Sequence, residues 1–226
     1  AIGGNVESQE KICEIMYRLS SDEANRVQLR KLDTSIYNTV SAIATEGKAW
    51  ANFVMHCYNY NKNHEESLRY LLRSFLEAEI GLAYLRLGIA YEWGLSVRAN
   101  VEHAEKCYMK ALEHECIYAY SYMAQHCRLV KQDKDMAIAY AKKGVDSHDE
   151  RSYGQLCSCY YECGDYKAHE DLLKSMLKEN YRSAYYYYGD YYLGRWNEKN
   201  IEVYKDKAIK YLEIALKSQE YRACGS

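Results

Sequence analysis

A helical hairpin written into residues 83–119 recurs along the chain, and that recurrence limits the fold more than any other feature of the sequence. Ala83, Leu87, Ala90 and Tyr91 share one face of a first helix, and Gly88 is the small residue that lets a second helix come close. Ala104, Cys107, Tyr108, Ala111 and Leu112 form the same kind of stripe on the second helix, and Gly94 to Asn100 supplies the turn between them. Two short helices with one apolar face each bury too little to fold alone, so the unit implies neighbours of its own kind.

Those neighbours can be found by stepping along the chain. A step of 36 carries Ala83 to Ala119, Leu87 to Met123 and Gly88 to Ala124. A step of 33 carries Met123 to Leu156 and Ala124 to Cys157, and one of 32 carries these to Tyr188 and Gly189. Backwards, 33 residues from Tyr91 lies Tyr58, with Val54 and Met55 in the places of Leu87 and Gly88. Second helices agree, since Ala208 to Lys217 overlays Ala104 to Glu113 and Ser67 to Glu77 precedes both. About five copies with a period in the thirties predict an all-α solenoid, a superhelical stack of antiparallel helix pairs.

The copy from Ala83 resembles the SEL-one-like repeat (SLR), a relative of the tetratricopeptide repeat. Its signature places are held by Ala83, Leu87 with Gly88, Tyr91, Gly94 with Val97, Ala104, Tyr108, and Lys110 with Ala111. The copy opening at Ala184 keeps Gly189, Tyr192, Lys207 with Ala208, and Ala215, but its turn is read as the long stretch Gly194 to Asp206. Copies at Trp50, Ala119 and Ser152 keep the apolar spacing and lose most glycines. The resemblance covers roughly residues 50–223, leaving residues 1–49 as N-terminal helices and 224–226 as a tail. It implies a non-enzymatic scaffold or adaptor.

Composition narrows the function. A net charge of −2 gives no broad basic field for nucleic acid, and the absence of proline suits continuous helices on short loops. No secretory signal or apolar run of membrane-spanning length is read. Nine cysteines are irregularly placed. A secreted relative within the resembled family carries a regular bridging pair in each repeat, which this chain lacks, so reduced, buried thiols in a cytosolic protein are expected.

Glu7 to Leu19 reads as an amphipathic helix with Ile12, Ile15, Met16 and Leu19 on its apolar side, interrupted at Ser20, Ser21 and Asp22. A longer helix from Glu23 to Thr45, carrying Val27, Leu29, Leu32, Ile36, Val40 and Ile43, ends at Gly47. The two form either a degenerate repeat or a cap. At the other end Ala223 stands 39 residues after Ala184, where another opener is due; we expect a further element there or an exposed last helix.

Sites for chemistry are sparse. There is no phosphate-binding glycine loop, zinc helix, nucleophile elbow or dinucleotide fingerprint. Cys157, Cys159 and Cys163 with His169 lack a paired metal-ligand spacing, and Cys116 beside His114 falls on an apolar stripe, so both read as packing and no cofactor is expected. The binding surface is expected along the first helices. Taking Ala83, Leu87 and Tyr91 as facing into the stack leaves Leu85, Ile89, Glu92 and Trp93 toward a concave groove. Equivalent places are Asn52, His56, Asn59 and Tyr60, then Ser121, Gln125, Arg128 and Leu129, then Ser158, Tyr161 and Glu162, and finally Tyr186, Asp190 and Leu193. Amides, single charges and aromatic anchors suit an extended peptide or a helix. Six tyrosines between Tyr185 and Tyr192 put Tyr188 and Tyr192 in the core and leave Tyr186 and Tyr187 over, for repeat packing or for a partner or second subunit. Single-stranded nucleic acid stacked on tyrosines is the alternative; it wants a basic groove, and Arg128 is opposed by Glu92, Glu162 and Asp190.

Overall fold

Four second helices of hairpins begin where an Asn or Asp side chain takes up a backbone N–H that the helix leaves unpaired. Asn63 accepts from the amide of Glu66, Asn100 from His103, Asp133 from Met136 and Asp165 from Ala168. The computed structural model describes residues 6–21, 34–60, 62–181 and 183–224, and among them it contains twelve α-helices and no strand. Two precede the hairpins: α1 (Val6–Ser21) and α2 (Thr34–Thr45). Five antiparallel pairs follow. They are α3 (Ala49–Asn59) with α4 (His64–Ser74), α5 (Gly81–Trp93) with α6 (Val101–Glu113), and α7 (Ala119–His126), extended by a π-helical turn Cys127–Lys131, with α8 (Lys134–Asp146). The last two are α9 (Glu150–Cys163) with α10 (Tyr166–Lys178) and α11 (Ser183–Lys199) with α12 (Glu202–Cys224).

Turns from one hairpin to the next repeat a conformation that no glycine announces. Glu115, His148 and Asn180 adopt left-handed φ of 55°, 60° and 62° after α6, α8 and α10. The next amide then closes back on the helix, Cys116 to the carbonyl of Ala111, Asp149 to Gly144 and Tyr181 to Met176, at 2.8 to 2.9 Å. Inside the second hairpin Gly94 makes the left-handed cap, as its sequence place suggests.

The chain divides into two compact units, residues 1–123 and 124–226. In the first, α5 and α6 approach at Gly88, where an added Cβ would stand 2.5 Å from the fully buried ring of Tyr108. In the second, Tyr153, Cys157, Leu173, Met176, Ala184, Tyr188 and Tyr191 form one cluster, and Ala124, Ala141 and Leu156 another. Gly189 serves there as Gly88 does in unit 1, with Leu212 over it.

Three expectations are corrected. In α1 the buried side is Cys13, Met16, Tyr17 and Ser20, while Ile15 is exposed; Ser20 and Ser21 continue the helix, both hydroxyls donating to the carbonyl of Tyr17. Inside the fifth hairpin the long turn read from Gly194 to Asp206 is short, because α11 stays helical to Lys199, with Arg195 stacked on Tyr166, and α12 starts at Glu202. Tyr187 takes the packing alternative, lying on Gly154 of the preceding hairpin. Of the helix read from Glu23 to Thr45, Val27, Leu29 and Leu32 lie outside the described residues, Val40 is buried, and Ile36 is exposed.

Candidate binding face

In unit 1 the face of the first helices is already in use. Helix α1 packs against α3 and α5, and reaches Tyr118 just ahead of α7. The Cys13 thiol points at the carbonyl of Trp50, 3.9 Å away. Tyr118 donates its hydroxyl to Glu14 at 3.1 Å, and its ring lies 5.0 Å from that of Tyr17. The centre of this seat is Arg86 on α5, 3% exposed. Its Nη2 donates to the carbonyl of Tyr17, to the hydroxyl of Ser21 at 3.0 Å and to that of Ser20. The guanidinium lies between the rings of Tyr17 and Tyr60, at 4.6 and 4.3 Å. Among the described residues no carboxylate forms an ion pair with it.

Beside the N-terminal half of α1 runs an open cleft of about 1090 Å³. Val6, Glu7, Glu10 and Glu14 border it on one side, and Trp50, Glu77, Glu79, Gly81, Leu82 and Cys116 on the other. His114 stacks on Tyr84 and approaches Glu79 at 3.2 Å, while Cys116 is buried; the two are therefore placed for packing rather than for nucleophilic chemistry.

The residues expected to line a groove divide by exposure. Asn52, His56, Asn59, Leu85, Ile89 and Ser121 are buried by the chain's own packing. Asn52 donates to the carbonyls of Ala44 and Lys48, Asn59 to that of Met55, Ser121 to that of Tyr118, and Nδ1 of His56 lies 2.8 Å from the hydroxyl of Ser67. Burial holds the His56 imidazole neutral, its pKa lowered to about 3, with the Arg86 charge acting in the same direction. These positions differ from expectation because α5 is buried around most of its girth, Leu85, Arg86, Ile89 and Ala90 included, so that no single stripe marks its inner side. Helix α1 meets Trp50 and Arg86 instead, with Tyr60, one of the expected lining residues, against the guanidinium and Leu82 lining the cleft. One signal for the rest was available: an arginine in the middle of the otherwise apolar run AYLRLGIA.

Other expected positions stay within reach of solvent. Trp93 is 61% exposed, and Glu92 accepts from the Tyr108 hydroxyl at 2.8 Å. In unit 2 the π-helical turn carries Arg128, paired with Glu162 at 2.6 Å, and the exposed Leu129. Gln125 is half-buried, Ser158 donates to the carbonyl of Gly154, and Tyr161 donates to Glu198 at 2.6 Å. Tyr186, Asp190 and Leu193 form an exposed stripe along α11. The other five tyrosines of that stretch pack: Tyr188 and Tyr192 stack with Tyr211 at 4.7 and 5.8 Å, Tyr185 with Tyr211 at 6.5 Å, Tyr191 against His169 at 4.7 Å, and Tyr187 on Gly154.

Cys157 and Cys159 are buried, with thiols pushed up by burial to about 12 and 11, while Cys163 is exposed. Among the described residues no group of three or more His, Cys, Asp or Glu side chains is placed to hold a metal ion, and no helix is long and apolar enough to cross a membrane.

Two solved structures share the architecture. A Sel1 repeat protein from Oxalobacter formigenes aligns with a TM-score of 0.63 at 20% identity over 93% of this chain and 87% of that one. A protective antigen of uropathogenic Escherichia coli strains with an SLR fold aligns with a TM-score of 0.59 at 17% identity, over 94% of this chain and 46% of that one. No family model matches the sequence and no curated protein matches it. The chain therefore has the helical-repeat fold of Sel1-repeat structures, a likeness carried by structure.

Proposed function

We propose that this chain is a non-enzymatic scaffold or adaptor that holds a protein or peptide partner against its first helices. The observation that carries the reading is the seat of α1: a face that grips one helix through a buried cation backed by the Tyr60 ring and through the Trp50 carbonyl has the chemistry to grip another. In unit 2 the stripe Tyr186, Asp190 and Leu193 leaves aromatic, charged and aliphatic groups in reach, and Trp93 and Arg128 add an exposed anchor and a paired charge. The fold shared with Sel1-repeat structures agrees with a scaffold role. The test is affinity capture with the wild-type chain beside a Trp93→Ala, Tyr186→Ala double variant of unchanged helix content. A partner that binds the purified wild-type chain with fixed stoichiometry and the variant at least tenfold more weakly supports the proposal. Equal retention of every captured protein by both chains overturns it.

A further inference from the structure

We infer that α1 is a self-ligand: it occupies in cis a receptor face whose occupant from a partner is an amphipathic helix ending against Arg86. This rests on the reading of the first-helix face as the binding face, and goes beyond it by naming the site's present occupant and the kind of helix that replaces it.

Three observations converge. The first is reach. A helix that merely extended the stack by one member would pack on its nearest neighbour, whereas α1 crosses α3 and α5, the first helices of two successive hairpins, and touches Tyr118 ahead of α7. The second is the chemistry of Arg86. All three oxygens that its Nη2 contacts belong to the last turns of α1, namely the Tyr17 carbonyl and the Ser20 and Ser21 hydroxyls. Among the described residues no carboxylate meets this buried guanidinium, and the negative end of a helix and aromatic faces match it instead. Any helix that presents its closing carbonyls and a small hydroxyl or aromatic side chain at that point satisfies the same cation. The third is incomplete seating. Only Cys13, Met16, Tyr17 and Ser20 of α1 are buried, Val6 and Ile15 are exposed, and the N-terminal half borders the open cleft. The helix is held at one end, as a ligand that can be displaced.

The test uses the full chain and a fluorescent, C-terminally amidated peptide of residues 6–21 under reducing conditions. Tyr17→Ala in the chain loosens the cis helix while leaving Arg86 and Tyr60 in place. Fluorescence anisotropy is expected to show the peptide binding that variant at least tenfold more tightly than wild type, and Arg86→Gln added to it is expected to abolish the gain. A folded Tyr17→Ala chain that binds no better than wild type overturns the inference, as does a gain that survives Arg86→Gln. Should Tyr17→Ala unfold, hydrogen exchange on the wild-type chain decides: α1 amides are expected to exchange well ahead of those in α3 and α5, and equal protection overturns the self-ligand. Peptide binding without any captured partner keeps this inference and sinks the scaffold reading; a captured partner with no peptide binding does the reverse.

Discussion

Among the described residues no carboxylate pairs with the buried Arg86, and its charge adds to the effect of burial on its surroundings. Nearby, His56 is kept neutral by burial first and by Arg86 second, with a pKa lowered to about 3 against 6.5 for the free side chain. Below about pH 6.5 the unfolded chain therefore takes up a proton that the folded chain refuses, and stability falls through the window from 6.5 to 3. Each pH unit is worth about 1.4 kcal/mol, so the loss at pH 5 is about 2 kcal/mol. His169, lowered by burial to about 4, acts with the same sign in unit 2. Urea midpoints measured at pH 7 and pH 5 should drop accordingly, with a shallower drop in His56→Gln; an identical slope in that variant would contradict the assignment. Gly88 is the other decisive residue of unit 1. Adding a methyl group 2.5 Å from the ring of Tyr108 and 3.2 Å from the carbonyl of Ala104 forces a buried pair of helices apart. Against a helix-propensity gain of about 0.5–1 kcal/mol, overpacking costs about 1–3 kcal/mol, so Gly88→Ala should lower the urea midpoint.

At the scale of elements, the turns between hairpins carry a strain that composition hides. A non-glycine residue in the left-handed region costs about 1–2 kcal/mol, less for Asn, whose side chain tolerates it. His148 is exposed and left-handed, so His148→Gly should stabilise the chain by about 1 kcal/mol and raise its melting temperature by about 2–4 °C. Asn180→Gly should raise it less, and the reverse order in calorimetry would refute the account. These turns escaped sequence reading because Glu, His and Asn stand where glycine would have announced them. The Asn and Asp caps at positions 63, 100, 133 and 165 recur at the same thirty-odd step as the apolar positions, a signal that the apolar spacing alone does not carry. Helix α1 shows the opposite failure. Its isoleucines promised one apolar side, but the polar anchor at Arg86 turns Tyr17 and Ser20 inward and leaves Ile15 in water.

For the whole molecule, charge and exposure favour a protein partner over nucleic acid. The net charge is −2, and in the tyrosine-rich stretch Tyr186 is the exposed ring, the others being spent on packing. Filter retention of a polythymidine oligonucleotide at low salt is expected to stay at background, and salt-sensitive retention would reopen the stacking alternative. The sequence by itself determined that the chain forms antiparallel helix pairs and that Gly88 and Gly189 let their helices close, because period and residue volume are local properties written every thirty-odd residues. Only the tertiary structure decided which side of each first helix the chain's own packing covers and which it leaves to solvent. Helix α5 is apolar around most of its circumference, so its periodicity holds no direction, and α1 reaches its seat through contacts far apart in the chain, around an arginine whose partners among the described residues are one carbonyl and two hydroxyls.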